Sequence, residues 1–396
     1  MMTTDNQTGR QFRDELTDNI LNYWARKVYD PQRQTFFGLI DANEKAHPDA
    51  PQGVVMMTRI LWTYSAAYKE LPNAVYQKMA DEAFRILTHN FWDDENGGVY
   101  WEVSPTGTTT NTSKQFYAQA FAIYAFAEYA RIFDNKEARQ LAVTLFHLLE
   151  KHAFDAKHGG YLEASAANWK DAAPDFITPA GKDVRKSMNT HLHVLEAYTN
   201  LYRICHQEDV REKIIHVLDM FTKYIINPKN HHFHMFFDLE WNPKTTAISY
   251  GHDIEGSWLL WEAAEVIHDE KIMESLRPVV VKMAEAVGNE ALDPKGGLYN
   301  ESDGDHWDKD FHWWPQAEAV VGFYNAWQLT GDARFKTWSG NAWNFIRQYV
   351  SDSKNGEWFG LLNPDYTVRP MAKVSPWKCP YHNGRMCLEM MRRTSV

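Results

Sequence analysis

Asp93-Asp94-Glu95-Asn96-Gly97-Gly98-Val99-Tyr100 reads as an aspartate-led tight turn, with glycines where the backbone must take positive φ. The pattern recurs at Asp30 before Thr35-Phe36-Phe37-Gly38, Asp155 before Gly159-Gly160-Tyr161, Asn230 before His232-Phe233-His234, Asp293 before Gly296-Gly297-Leu298-Tyr299 and Asp352 before Gly356-Glu357-Trp358. Successive spacings are 63, 62, 75, 63 and 59 residues, with two stretches of helical periodicity between neighbouring turns. A helix–turn–helix repeat of this size cannot bury its apolar face alone, so the six copies must stack. Six helical pairs closed on themselves make a toroid whose turns emerge at one end, around a central cavity.

Two helical series alternate along the chain. The outer one, at 11–28, 73–91, 135–152, 209–226, 270–288 and 333–350, carries charge on a solvated face, as in Arg13-Asp14-Glu15. The inner one is apolar all round: Val54 to Tyr68, Phe116 to Phe133, Met188 to Ile204, Ile254 to Ile267, Ala317 to Leu329 and Met386 to Met391. Residues 164–187 interrupt the repeat with Ala, Asp, Pro and Lys, and are expected as a rim loop near the cavity mouth. Residues 1–10 are expected as a flexible segment and 11–396 as one domain, because the repeats run almost end to end.

Hydrophobic residues make up 44% of the chain and aromatic ones 14%, with 16 Trp, 19 Tyr and 21 Phe. Core packing accounts for most of these rings, and a cavity that stacks on sugar faces accounts for the surplus. The net charge of −11, without a basic run, argues against nucleic acid or anionic membrane as partner. Cys205, Cys379 and Cys387 are too few for a disulfide framework and lack metal-type spacing. The polar start and the lack of a long apolar run point to the cytoplasm. No glycine-rich phosphate loop signals a nucleotide, and no carboxylate or thiol at metal spacing accompanies His231-His232-Phe233-His234, so neither cofactor nor metal is expected; a monomer is also expected.

Three turn-to-helix junctions carry histidine: Asn189-Thr190-His191-Leu192-His193, Gly251-His252-Asp253-Ile254-Glu255 and Tyr381-His382-Asn383-Gly384-Arg385. Asn189 and His193, four apart, share a helical face, as do His252 and Glu255, and His382 and Arg385, three apart. His191 and His193 lie roughly 200° apart around the axis, so only one enters the cavity; His193, aligned with Asn189, is favoured. Glu255 is expected to fix the tautomer of His252. Arg59, a charge inside an apolar inner helix, must meet a protein carboxylate or an anion formed in the reaction. Trp313, Trp314 and Trp377 flank the last two junctions as core or as platforms for a sugar ring.

An aromatic cavity with several neutral bases and one arginine describes proton transfer at a carbon next to a carbonyl. Inversion at C2 of an open-chain aldose needs two bases on opposite faces, whereas one base gives the ketose or the starting sugar. The carboxylates Asp253, Glu255 and Glu318 keep an inverting glycoside hydrolase open as a second class, and a binding protein without turnover is a third.

The segments 186–198, 249–258 and 376–383, with Arg59-Ile60-Leu61-Trp62 and Trp313-Trp314-Pro315-Gln316-Ala317-Glu318, closely resemble cellobiose 2-epimerases of the N-acylglucosamine 2-epimerase superfamily. The likeness spans practically the whole chain. It implies an all-α (α/α)6 barrel of six inner and six outer helices, and reversible, cofactor-free C2 epimerisation at the reducing-end glucose of cellobiose or lactose. By position, His252 and His382 would transfer protons, His193 would assist ring opening, Arg59 would hold the enediolate and Glu255 would support His252. Tyr117, Asn189, Trp314 and Trp377 match positions lining the family's sugar site. The match is loosest over 164–187, which leaves open a mannose/glucose 2-epimerase or an aldose–ketose isomerase of the same superfamily.

Overall fold

The computed structural model describes residues 5–170 and 183–394. Outer and inner helices alternate from α1 (Asp5–Asp14) and α2 (Val54–Glu70) through α3 (Ala74–Ile86), α4 (Phe116–Phe133), α5 (Lys136–His152) and α6 (Met188–Cys205). They continue as α7 (Glu208–Met220), α8 (Tyr250–Val266), α9 (Glu270–Glu290), α10 (Trp313–Thr330), α11 (Ala333–Phe345) and α12 (Tyr381–Thr394). The even-numbered helices form the inner ring: α2 packs on α4, and so on round to α12, which closes on α2. This is the (α/α)6 barrel.

Burial follows composition. In α4 every residue from Phe116 to Ala130 is buried, since this helix meets neighbours on all sides. Outer α5 buries only the stripe Ala138, Ala142, Leu145, Phe146 and Leu149. Asn73, Asn135, Asp269 and Asp332 cap α3, α5, α9 and α11 by accepting a hydrogen bond from a first-turn backbone N–H, each cap contributing about 1 kcal/mol.

The six turns share one hydrogen-bond plan. Asp93 Oδ1 accepts from the N–H groups of Glu95 and Asn96, and Asp30, Asp155, Asp293 and Asp352 act alike. The left-handed position of each turn is Gln34, Gly97, Gly159, His231, Gly296 or Gly356, with φ between 51° and 95°. In the fourth turn Asn227, rather than the expected Asn230, is therefore the leading residue: its side chain accepts from Lys229 and its carbonyl from His231. A non-glycine residue at the left-handed position had hidden the register.

Two further devices tie turns to inner helices. The fourth residue of α4, α6, α8 and α10 (Gln119, His191, Asp253 and Gln316) accepts the backbone N–H of Val99, Tyr161, Phe233 and Leu298, respectively. His191 is thereby committed to the scaffold, with its Nδ1 on the Ser187 carbonyl at 2.7 Å. Buried Lys114, Lys186 and Lys373 clamp Asp93, Asp155 and Asp352 at 2.7–2.9 Å. At the same end, the two residues before each of α4, α6 and α10 pair antiparallel with a strand beyond the next turn, as Lys186–Ser187 does with Phe236–Phe237. These ladders hold the inner-helix N-termini in a fixed ring.

Three expectations are corrected. Inner helices α8, α10 and α12 start at Tyr250, Trp313 and Tyr381, four or five residues earlier than the apolar stretches suggested, because their first turns mix aromatic residues with polar ones, glycine or proline. Helix α1 starts at Asp5, inside the segment 1–10 expected to be flexible, and Gly9 lies against Thr394 of α12. Within 164–187, Ala164–Ser165 and Lys186–Ser187 are strands of the rim ladders, and Trp169 stacks between Phe116 and His152. Residues 171–182 of the expected rim loop lie outside the described residues.

Candidate active site

Residues four apart on a helix share a face, so second and sixth residues of several inner helices point together toward the barrel axis. The second positions include Tyr117, Asn189, Trp314 and His382; the sixth include Arg59, His193, Glu255 and Glu318. A cavity of about 280 Å³ at the turn end is lined by Arg59, Tyr117, Asn189, His193, His252, Glu255, Trp314, Trp377 and His382. All nine residues singled out in the sequence thus meet in one place. His312, Trp313, Met371 and Lys378 complete the wall.

Beneath the histidines lies a buried ionic cluster. Arg385 donates from Nη2 to Glu255 Oε1 at 2.6 Å and to Glu318 Oε1 at 2.7 Å, and from Nη1 to Glu196. Tyr381 also donates to Glu196. An arginine buried with three carboxylates is tolerable only because its charge is shared among hydrogen bonds in fixed geometry. Glu255, Glu318 and His382 bring one ligand atom each within 4.8 Å of one another, a spacing suited to a metal ion, but the guanidinium already supplies the positive charge there.

Each histidine is held through Nδ1. His382 Nδ1 lies 2.7 Å from Glu318 Oε1, and His193 Nδ1 lies 2.9 Å from Glu196 Oε2. His252 Nδ1 lies 2.8 Å from Ser249 Oγ. Expected support of His252 by Glu255 is thus replaced: Arg385 draws Glu255 away, and Glu255 stands 3.8 Å from His382 Nδ1 instead. Among the described residues, Nε2 of each ring has no protein hydrogen bond and is the nitrogen left for a ligand.

The ring of Trp314 lies 4.7 Å from that of His252 and 5.4 Å from that of His382, so it packs against two imidazoles from different helices. Gly251 permits this: a Cβ there would stand 2.6 Å from the Trp314 ring. Arg59 donates to the Tyr117 hydroxyl at 2.9 Å and lies over the rings of Phe121 and Tyr381, 4.4 and 4.8 Å from their centroids. Among the described residues no carboxylate pairs with Arg59, and its Nε is buried without a partner, as is Asn189 Oδ1. Trp377, 45% exposed, stands at the mouth against Tyr117 and Trp101.

Burial sets the titration of the site. It drives His252 down to about 3, with the charge of His193 adding to the effect. His193 and His382 are lowered too, the latter also by Arg59 and Arg385, so all three rings are neutral at pH 7. Burial pushes Glu196 up, but Arg385 and donors on the carboxylate outweigh it and bring it to about 2. Glu255 is raised by burial and then by the neighbouring charge of Glu318.

Sequence reasoning had passed over the roles of Glu196, Arg385 and Ser249. Glu196 was within reach of a helical-face argument, being three residues after His193; Arg385 acquires its meaning only when α6, α8 and α10 converge on it. The carboxylates weighed for hydrolysis do not bracket the cavity. Asp253 turns to His232 at 2.7 Å and to the fourth turn, while Glu255 and Glu318 share one nitrogen of Arg385.

A ring of imidazoles over an arginine–carboxylate cluster, at the open end of an (α/α)6 barrel, defines a sugar epimerase or isomerase. The chain belongs to the N-acylglucosamine 2-epimerase (GlcNAc 2-epimerase) family, whose model matches residues 35–385. It is 42% identical over 385 residues to the cellobiose 2-epimerase of Bacteroides fragilis, covering 96% of this chain and 98% of the relative. The cellobiose 2-epimerase of Dictyoglomus turgidum is 36% identical, over 96% and 97% of the two chains. The solved cellobiose 2-epimerase of Bacillus thermoamylovorans superposes with a TM-score of 0.94 at 36% identity, covering 98% of this chain and 100% of the other. A D-mannose isomerase structure, with a TM-score of 0.86 at 19% identity over 99% of both chains, shares the fold.

Proposed function

We propose that this enzyme reversibly epimerises C2 of the reducing-end glucose in β-1,4-linked disaccharides, turning cellobiose into glucosyl-mannose and lactose into epilactose. The observation that carries the proposal is that His252 and His382, from α8 and α12, line one cavity and both pack against Trp314. The names of the relatives, cellobiose 2-epimerases at 34–42% identity, support the same substrate class.

His193, oriented by Glu196, assists opening of the pyranose to its aldehyde. One of the pair His252/His382 then takes the C2 proton on Nε2; the C–H electron pair becomes the C1–C2 double bond of an enediolate. Arg59, a buried cation that faces no carboxylate among the described residues, holds the negative oxygen. The other histidine, neutral at rest, takes a proton from solvent beside the enediolate and passes it to the opposite face of C2, while the first releases its proton to solvent. Tyr117, Asn189 and Trp377 bind the sugar, with Trp377 at the mouth where the second ring of a disaccharide emerges.

Kinetics on cellobiose, lactose and mannose in parallel test the proposal. Glucosyl-mannose and epilactose as products, with higher kcat/KM on the disaccharides, support it. Turnover of mannose alone would replace the disaccharide by a monosaccharide, and release of free glucose from cellobiose would replace epimerisation by hydrolysis.

A further inference from the structure

Ser187 and Ser249 occupy the same place in the repeat, the residue just before an inner helix. Ser187 Oγ caps α6 by accepting the Thr190 N–H at 3.1 Å. Ser249 makes no such cap on α8; its hydroxyl lies 2.8 Å from His252 Nδ1 instead. The residue is 3% exposed, and its backbone is fixed in the rim ladder opposite Glu301. A favoured capping interaction has been given up for a contact with one imidazole.

Resting on the epimerase reading above, we propose that Ser249 is the positioning residue of His252. Accepting Nδ1–H through its hydroxyl, it keeps the basic lone pair on Nε2 and aims that nitrogen at C2. Its partner is neutral, whereas Glu318 and Glu196 place carboxylates on the other two histidines. The groups facing His252 are Glu255 on its own helix, His193 from α6, Glu318 and the Trp314 ring from α10, and His382 with Arg385 from α12. With these fixed, the chemistry of residue 249 sets how firmly His252 holds a proton.

The test uses the full chain with cellobiose and three variants, each checked for an unchanged thermal midpoint. Ser249→Ala is expected to lower kcat roughly 10-fold, by loosening the base, with KM moved less than about 2-fold. Ser249→Thr, which keeps the hydroxyl, restores most of that loss. Ser249→Asp places a carboxylate on Nδ1 and moves the acidic limb of the kcat/KM profile up by about one pH unit, which a purely structural role would not do. Wild-type kcat in Ser249→Ala, or an unmoved acidic limb in Ser249→Asp, overturns the assignment of Ser249 alone. Absence of any epimerisation by the unmodified chain overturns the epimerase reading itself and Ser249's role with it.

Discussion

His382 Nδ1 and Glu318 Oε1 stand 2.7 Å apart, and that carboxylate also accepts from Arg385 Nη2 at 2.7 Å and from Trp258 Nε1 at 3.0 Å. Burial raises the pKa of Glu318, yet Arg385 and Trp258 can only donate, so both oxygens act as acceptors and the carboxylate is the form this geometry holds. His382 therefore carries its proton on Nδ1 and presents a bare Nε2 to the cavity. Replacing Glu318 by Gln is expected to lower kcat roughly 10- to 100-fold by releasing the tautomer. Steady-state kinetics with KM close to wild type checks it, and an unchanged kcat contradicts it.

The two proton carriers themselves should matter more than their supports. His252→Asn and His382→Asn are each expected to reduce turnover by about 10²- to 10⁴-fold. Circular dichroism should show the fold intact, since both side chains line the cavity and Arg385 still ties α12 to Glu318 of α10. A variant with near-normal activity would remove its residue from the proton relay.

Arg59 differs from Arg385 in what it leaves behind. Removing Arg385 strands three buried carboxylates, whereas Arg59 contacts a hydroxyl, a carbonyl, a thiol and aromatic faces. Arg59→Gln should therefore depress kcat by about 10²- to 10³-fold through loss of charge stabilisation, while the thermal midpoint falls less than in Arg385→Gln. Activity paired with melting curves for the two variants separates these effects; equal loss of stability would contradict the distinction.

Buried, neutral histidines give the fold a pH dependence whose sign is fixed. With His191 and His252 both lowered to about 3 and His193 and His382 also lowered, the unfolded chain binds more protons than the folded one below the ordinary histidine value of about 6.5. Stability should decline as pH falls from there toward the folded-state values. The raised pKa of His232, held between Asp253 and Glu290, and those of the buried carboxyls Asp253 and Glu255 oppose this. Thermal midpoints measured from pH 8 to 4 should fall throughout the lower half, and a flat profile would contradict the burial argument.

The barrel was legible because its signal is local: Asp and Gly in a turn, then a helical period, six times over. The same locality explains the misplaced fourth turn, where His231 adopts the backbone conformation that Gly97 and Gly159 adopt elsewhere. Helical spacing chose His193 over His191, and the cavity agrees. It failed for Glu255, because a shared face brings two side chains near but does not decide which partner wins. Arg385, 130 residues further on, takes that carboxylate, and Ser249, three residues before His252, takes the imidazole. Competition among groups from different helices is a tertiary property, invisible in spacing alone.

Running the reaction on cellobiose in heavy water tests the central claim most directly, that C2 loses its proton to one imidazole and regains it from another. Deuterium at C2 of the epimerised product is the predicted result. An epimerised product without deuterium at C2 would contradict it, because the hydrogen would then have travelled without passing through a base open to solvent exchange.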